Sequence, residues 1–64
     1  MTVEMAAARV RAEFDEMPGM TLTLPQASRL FGLDRDLCQA IVERLVVSAY
    51  LRRTGEGAFT RRLQ

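Results

Sequence analysis

Between Leu22 and Cys38 the chain carries two helix starts and one helix stop, and this punctuation constrains the fold more than any other feature. Thr23-Leu24-Pro25-Gln26 is a strong start signal. Thr23 is a capping hydroxyl, Gln26 completes a capping box, and Pro25 sits in the first turn, where its missing N–H costs nothing. Gly32 ends the helix, as a glycine past the last turn usually does. Leu33 makes a tight link, and Asp34 caps the next helix at once. The spacing predicts a short helix over about residues 24–31 with Ala27, Leu30 and Phe31 inward. A longer one follows over about 35–48, with Leu37, Cys38, Ile41, Leu45 and Ala49 as its buried stripe and Val42 at the border.

The flanks fill in around this pair. Val3, Ala7, Val10, Phe14 and Met17 recur at alternating spacings of four and three, which predicts an amphipathic helix over about 3–16. Met1, Met5 and Met20 add to that stripe. Thr2 caps the helix, Glu4 sits in its positive first turn, and Pro18-Gly19 ends it. Met20 to Leu22 reads as a short extended piece. Tyr50 to Thr54 and Ala58 to Arg61 read as two strands around Gly55-Glu56-Gly57, a hairpin over about 50–62, with a frayed tail at Arg62-Leu63-Gln64. The expected architecture is one mainly α domain, 1–64, of three helices and a small β-hairpin.

Several function classes fall away. With 64 residues the chain holds one domain, far short of a Rossmann fold or a barrel. It has no histidine, the commonest general acid-base and metal ligand, and neither a glycine-rich phosphate cradle nor a metal-ligand cluster. No enzyme activity, cofactor, metal or small-molecule ligand is expected. The single cysteine forms no internal disulfide; on the buried stripe, Cys38 acts as a small hydrophobe rather than a reactive thiol. No apolar run approaches the roughly 18 residues that span a bilayer, and Glu4 stands where a signal peptide needs positive charge. A cytoplasmic protein without a membrane contact is expected.

The order helix, short strand, helix, tight turn, helix, hairpin resembles the winged helix-turn-helix superfamily. Leu22 to Leu33 looks like the capped first helix and turn of such a motif. Cys38-Gln39-Ala40-Ile41-Val42-Glu43-Arg44-Leu45 is similar to the recognition helix of MarR-like and IclR-like bacterial transcriptional regulators, and Ala49-Tyr50-Leu51-Arg52-Arg53 resembles the start of their wing. The resemblance covers about residues 3–62. It implies double-stranded DNA as partner, with the third helix in the major groove and the wing on phosphates. It also implies pairing through terminal helices, a homodimer.

The charges divide unevenly. The net charge is +1, from nine arginines and eight acids, but residues 1–28 carry −2 and residues 29–64 carry +3. Arg52, Arg53, Arg61 and Arg62 lie in the hairpin, and with Arg29 and Arg44 they are the candidate phosphate contacts. The competing reading is a solvated hairpin face whose arginines guard the edge. Opposite the core stripe the third helix presents Asp36, Gln39, Ala40, Glu43 and Val47, with Arg35 and Arg44 flanking. Gln39 is the best candidate base reader, pairing bidentately with adenine; Arg35, Asp36 and Ala40 complete the candidate base contacts, a carboxylate there accepting from cytosine. Val46 and Val47 stand off the buried stripe. They suggest a surface for a protein partner, or packing within the domain. Two functions remain: a small DNA-binding transcriptional regulator, or a protein-protein interaction module using the acidic third-helix face and the valine pair.

Overall fold

A computed structural model describes residues 2–62. The helices are α1 (Val3–Glu16), α2 (Leu24–Phe31) and α3 (Arg35–Val47); the strands are β1 (Thr21–Leu22), β2 (Leu51–Arg53) and β3 (Phe59–Arg61). All three helix starts obey the capping chemistry of their sequences. The Thr2 hydroxyl accepts from the Met5 N–H at 3.1 Å. Thr23 and Gln26 make a reciprocal capping box, and both Asp34 carboxylate oxygens accept first-turn amides of α3. Each cap satisfies N–H groups that have no partner inside their helix.

The stops differ more. Gly32 closes α2 in the left-handed conformation, φ +66°, and the Leu33 N–H reaches back to the Ser28 carbonyl. The end of α3 uses the same device without a glycine. Ala49 stands at φ +66°, its N–H bonds to the Val46 carbonyl, and the Tyr50 N–H bonds to the Leu45 carbonyl. That is the Schellman pattern. It ends α3 at Val47 with Ser48 as cap, and it turns the chain sharply into β2. Ala49 is therefore exposed rather than part of the buried stripe.

The core gathers Ala6, Ala7, Val10 and Phe14 from α1, Ala27 and Phe31 from α2, Cys38, Ile41, Val42 and Leu45 from α3, and Leu51 and Phe59 from the sheet. Phe14 and Phe31 meet at its centre, with ring centroids 6.5 Å apart and planes tilted by 43°. Several expected core positions lie elsewhere. Val3, Met5 and Met17 on or beside α1 are exposed, as is Leu30 on α2. A strict seven-residue repeat drifts around a 3.6-residue helix by about 20° per heptad, so the ends of the Val3–Met17 stripe rotate off the core face. Ala7, Val10 and Phe14 of the expected stripe are buried, and Ala6 joins them. Leu30 lies about a quarter-turn from Phe31, and a helix of eight residues has room for one inward pair, Ala27 and Phe31. Leu37 is half-buried, and Met20 packs against the core edge. The expectations for Met1, Leu63 and Gln64 fall outside the described residues.

The hairpin is two strands of a three-stranded antiparallel sheet in the order β1-β3-β2. Its partners are Thr21↔Thr60 and Leu22↔Phe59 on one side of β3, and Leu51↔Arg61, Arg52↔Thr60 and Arg53↔Phe59 on the other. The extended piece before α2 thus covers an edge of β3, and the buried Thr60 hydroxyl ties it further by donating to the Met20 carbonyl at 2.9 Å. Opposed residues share a face. Leu22, Leu51 and Phe59 face the helices with Arg53 and Arg61 at the rims; Thr21, Thr60 and Arg52 face away.

Candidate functional site

The flank of α3 turned away from the core is open to solvent. Arg35, Asp36, Gln39, Ala40, Glu43 and Val47 are all exposed, as the helical spacing predicts. Their side chains are not independent. The Gln39 amide donates to the Glu43 carboxylate at 3.1 Å, and the Arg53 guanidinium lies 3.8 Å from the same oxygen. Arg53 also covers the Phe59 ring, 5.4 Å from its centroid. One carboxylate therefore holds both the candidate base reader and a hairpin arginine along one edge of the helix. Both ends of the ion pair are about half exposed, so its stabilisation is small and its partners exchange readily with a competing ligand.

The other arginines do not converge on this flank. Arg44 lines a groove of about 330 Å³ between α3 and α1, with Glu4, Ala7, Ala8, Arg11, Leu45 and Ser48. Arg29 is exposed in the last turn of α2. Arg52 leaves the sheet on the face opposite Arg53, because adjacent strand residues point to opposite sides. Arg52, Arg61 and Arg62 line a separate cleft of about 590 Å³ with Pro18, Gly19, Thr21 and Thr60. The four hairpin arginines, all candidate phosphate contacts, are thus split between two surfaces.

Arg61, also a candidate phosphate contact, is engaged within the fold. Its guanidinium carbon lies 4.7 Å from the centroid of the Tyr50 ring, and Arg11 of α1 lies over the same ring at 4.7 Å. Arg61 Nε is 3.1 Å from an Asp15 carboxylate oxygen, an ion pair whose N–H makes no hydrogen bond. The Tyr50 hydroxyl meets the same Asp15 carboxylate and the Arg11 carbonyl. Tyr50, Arg11, Asp15 and Arg61 form one cluster that fastens the sheet to α1. Sequence reasoning missed it, because contacts 35 and 39 residues apart leave no periodic signal. It also missed Arg9, which donates to the Phe31 carbonyl at 3.0 Å and satisfies the end of α2.

The valine pair separates too. Val46 is partly buried against the core, so it is not half of an exposed patch, whereas Val47 is 87% exposed. Cys38 is fully buried, and burial pushes its thiol above the ordinary 9.0. Among the described residues no group of three or more His, Cys, Asp or Glu side chains is arranged to hold a metal ion. Among them, too, no helix is long and apolar enough to cross a membrane. No protein-family model, curated protein or solved structure matches the chain.

Proposed function

We propose that the chain is a small DNA-binding domain of the winged helix-turn-helix type, acting in the cytoplasm as a transcriptional regulator. The observation that carries this reading is the pairing of α2 and α3 through the left-handed Gly32 turn, which leaves one whole flank of α3 exposed beside Arg53 of the hairpin. An exposed helix of 13 residues is long enough to lie in a major groove, which is about 12 Å wide. In this reading Gln39 and Arg35 meet base edges, with Ala40 and Asp36 beside them. Arg53 and Arg29 hold phosphates on either side. Duplex binding exchanges the Gln39–Glu43–Arg53 network for contacts with the nucleic acid.

One observation favours a protein partner instead. The centre of the exposed flank carries Asp36 and Glu43, and Val47 stands bare at its end. Those carboxylates oppose a phosphate backbone and suit a basic partner.

Fluorescence anisotropy with a labelled duplex across a salt series separates the two. Two phosphate contacts, from Arg29 and Arg53, give a log–log salt slope of about −2. Replacing Glu43 with Gln removes a carboxylate that faces phosphate and releases Arg53. Two charges in contact in water are worth about 1 kcal/mol, so E43Q tightens duplex binding roughly fivefold. Absence of binding at low salt, or an E43Q variant that binds no better, leaves the protein-partner reading. Light scattering on the same samples reports whether the chain pairs with itself.

A further inference from the structure

We propose a phosphate-binding cleft on the outer face of the sheet, held by Arg52, Arg62 and Thr21. The cleft lies where the β1 and β2 ends of the sheet meet the Pro18-Gly19 turn, and it measures about 590 Å³. Three of its seven lining residues are arginines and none is acidic. It is the opposite of the α3 flank, where two carboxylates stand at the centre.

The register explains why these residues converge. Thr21 and Arg52 both oppose Thr60, one from each side of β3, so the three side chains form a row across the outer face. Arg62 follows β3, and its N–H is held by the Tyr50 carbonyl at 2.9 Å, which fixes its backbone beside β2. Diagonal neighbours in an antiparallel pair stand about 7–8 Å apart, within reach of long side chains. Arg52 and Arg62 are such neighbours across Thr60 and Tyr50. Arg61 also lines the cleft, but its guanidinium is engaged by the Tyr50 ring and Asp15. Two guanidinium groups, Arg52 and Arg62, are thus left to close on one anion, with the exposed Thr21 hydroxyl as a neutral donor beside them. Guanidinium groups match phosphate oxygens bidentately, and a phosphate has oxygens enough to engage two guanidinium groups at once, as a monatomic anion such as chloride does not.

The cleft stands apart from the duplex-binding proposal. Arg53, the hairpin contact to α3, is on the inner face of the sheet, and Arg52 is on the outer one. Its ligand is a phosphate group, either free or carried in a nucleic-acid backbone.

Amide chemical-shift mapping on the full chain tests this at constant ionic strength, since exposed charges are screened over about 10 Å at 0.1 M salt. Inorganic phosphate and pyrophosphate are one arm, and a short DNA duplex is the other. The expected result is a saturable shift at Thr21, Arg52, Thr60 and Arg62 with the free anions. Arg52→Ala/Arg62→Ala weakens it by about tenfold or more, the effect of losing charge-assisted hydrogen bonds. Cleft shifts with the duplex, lost in the same double variant, assign the site to backbone phosphates; cleft shifts with the anions alone assign it to a free phosphate. Failure of every probe to move the cleft, or shifts that survive the double substitution, overturns the proposal. Duplex shifts at Arg35, Gln39 and Arg53 report on the α3 reading separately. Because Arg52 and Arg62 are both exposed, the double variant is expected to fold, and circular dichroism verifies it.

Discussion

Replacing Ala49 with glycine is expected to stabilise the fold, against the usual effect of adding a glycine. Ala49 is the one non-glycine residue with positive φ among the described residues, at +66°. For an L-residue that conformation brings Cβ too close to the following carbonyl oxygen and costs roughly 1–2 kcal/mol. Glycine removes the cost but gains freedom in the unfolded chain, which returns about 0.5–1 kcal/mol. The Ala49 side chain is exposed, so no buried methyl is lost. The net expectation is about 0.5–1 kcal/mol of added stability. At about 4–8 °C per kcal/mol for a domain of this size, Tm rises by roughly 2–8 °C.

Gly32 supplies the matching control. It has the same φ, +66°, and a Cβ there meets nothing within 4 Å, so Gly32→Ala adds backbone strain without a clash. The two substitutions should therefore move stability in opposite directions by similar amounts. Thermal melts followed by circular dichroism, with urea titrations at unchanged m, measure both. If Ala49→Gly leaves Tm unchanged or lowers it while Gly32→Ala destabilises, the account of Ala49 as a strained helix stop is wrong.

Two further outcomes follow from the buried and clustered groups. Tyr50→Phe keeps the ring between Arg11 and Arg61 but removes the hydroxyl that meets Asp15 and the Arg11 carbonyl, so it should cost about 1 kcal/mol and lower Tm by roughly 4–8 °C; a melt within error of the parent refutes that role for the hydroxyl. Cys38 should resist alkylation in the folded chain and react on addition of denaturant, because the thiolate is the nucleophile and burial disfavours it. The sign of its pH dependence follows from the raised value: the unfolded chain loses the proton first, so this contribution to stability is full below the ordinary thiol value of 9.0 and is lost as pH rises through the folded one. Cys38→Val should abolish the alkaline loss attributable to the thiol, as read from urea midpoints against pH.

Local chemistry was the legible part of the fold. Caps are written in three or four adjacent residues, so the starts at Thr2, Thr23 and Asp34 could be read directly, and so could the stop at Gly32. The stop at Ala49 could not, because nothing in an alanine announces positive φ; tertiary turning of the chain into β2 imposes it. Pairing of β1 with β3 joins residues about 40 apart, and the Tyr50 cluster joins α1 to the sheet over a similar separation. Such contacts depend on the assembled core rather than on spacing.

The division of the hairpin arginines is a different case, since its signal is present in the sequence. Arg52-Arg53 and Arg61-Arg62 are adjacent pairs, and in a strand adjacent side chains point to opposite faces. The rule divides them into an inner pair, Arg53 and Arg61, and an outer pair, Arg52 and Arg62. Each inner arginine then meets an aromatic ring and a carboxylate: Phe59 and Glu43 for Arg53, Tyr50 and Asp15 for Arg61. Each outer one lines a cleft without acids. The small net charge of +1 therefore understates the local field. Neutralised arginines hold the sheet to the helices, and uncompensated ones collect on the face turned away from them. If so, Arg61→Ala should lower Tm by loosening the contact between α1 and the sheet, while Arg52→Ala should change phosphate binding and leave Tm within about 0.5 kcal/mol of the parent stability, the usual range for an exposed substitution.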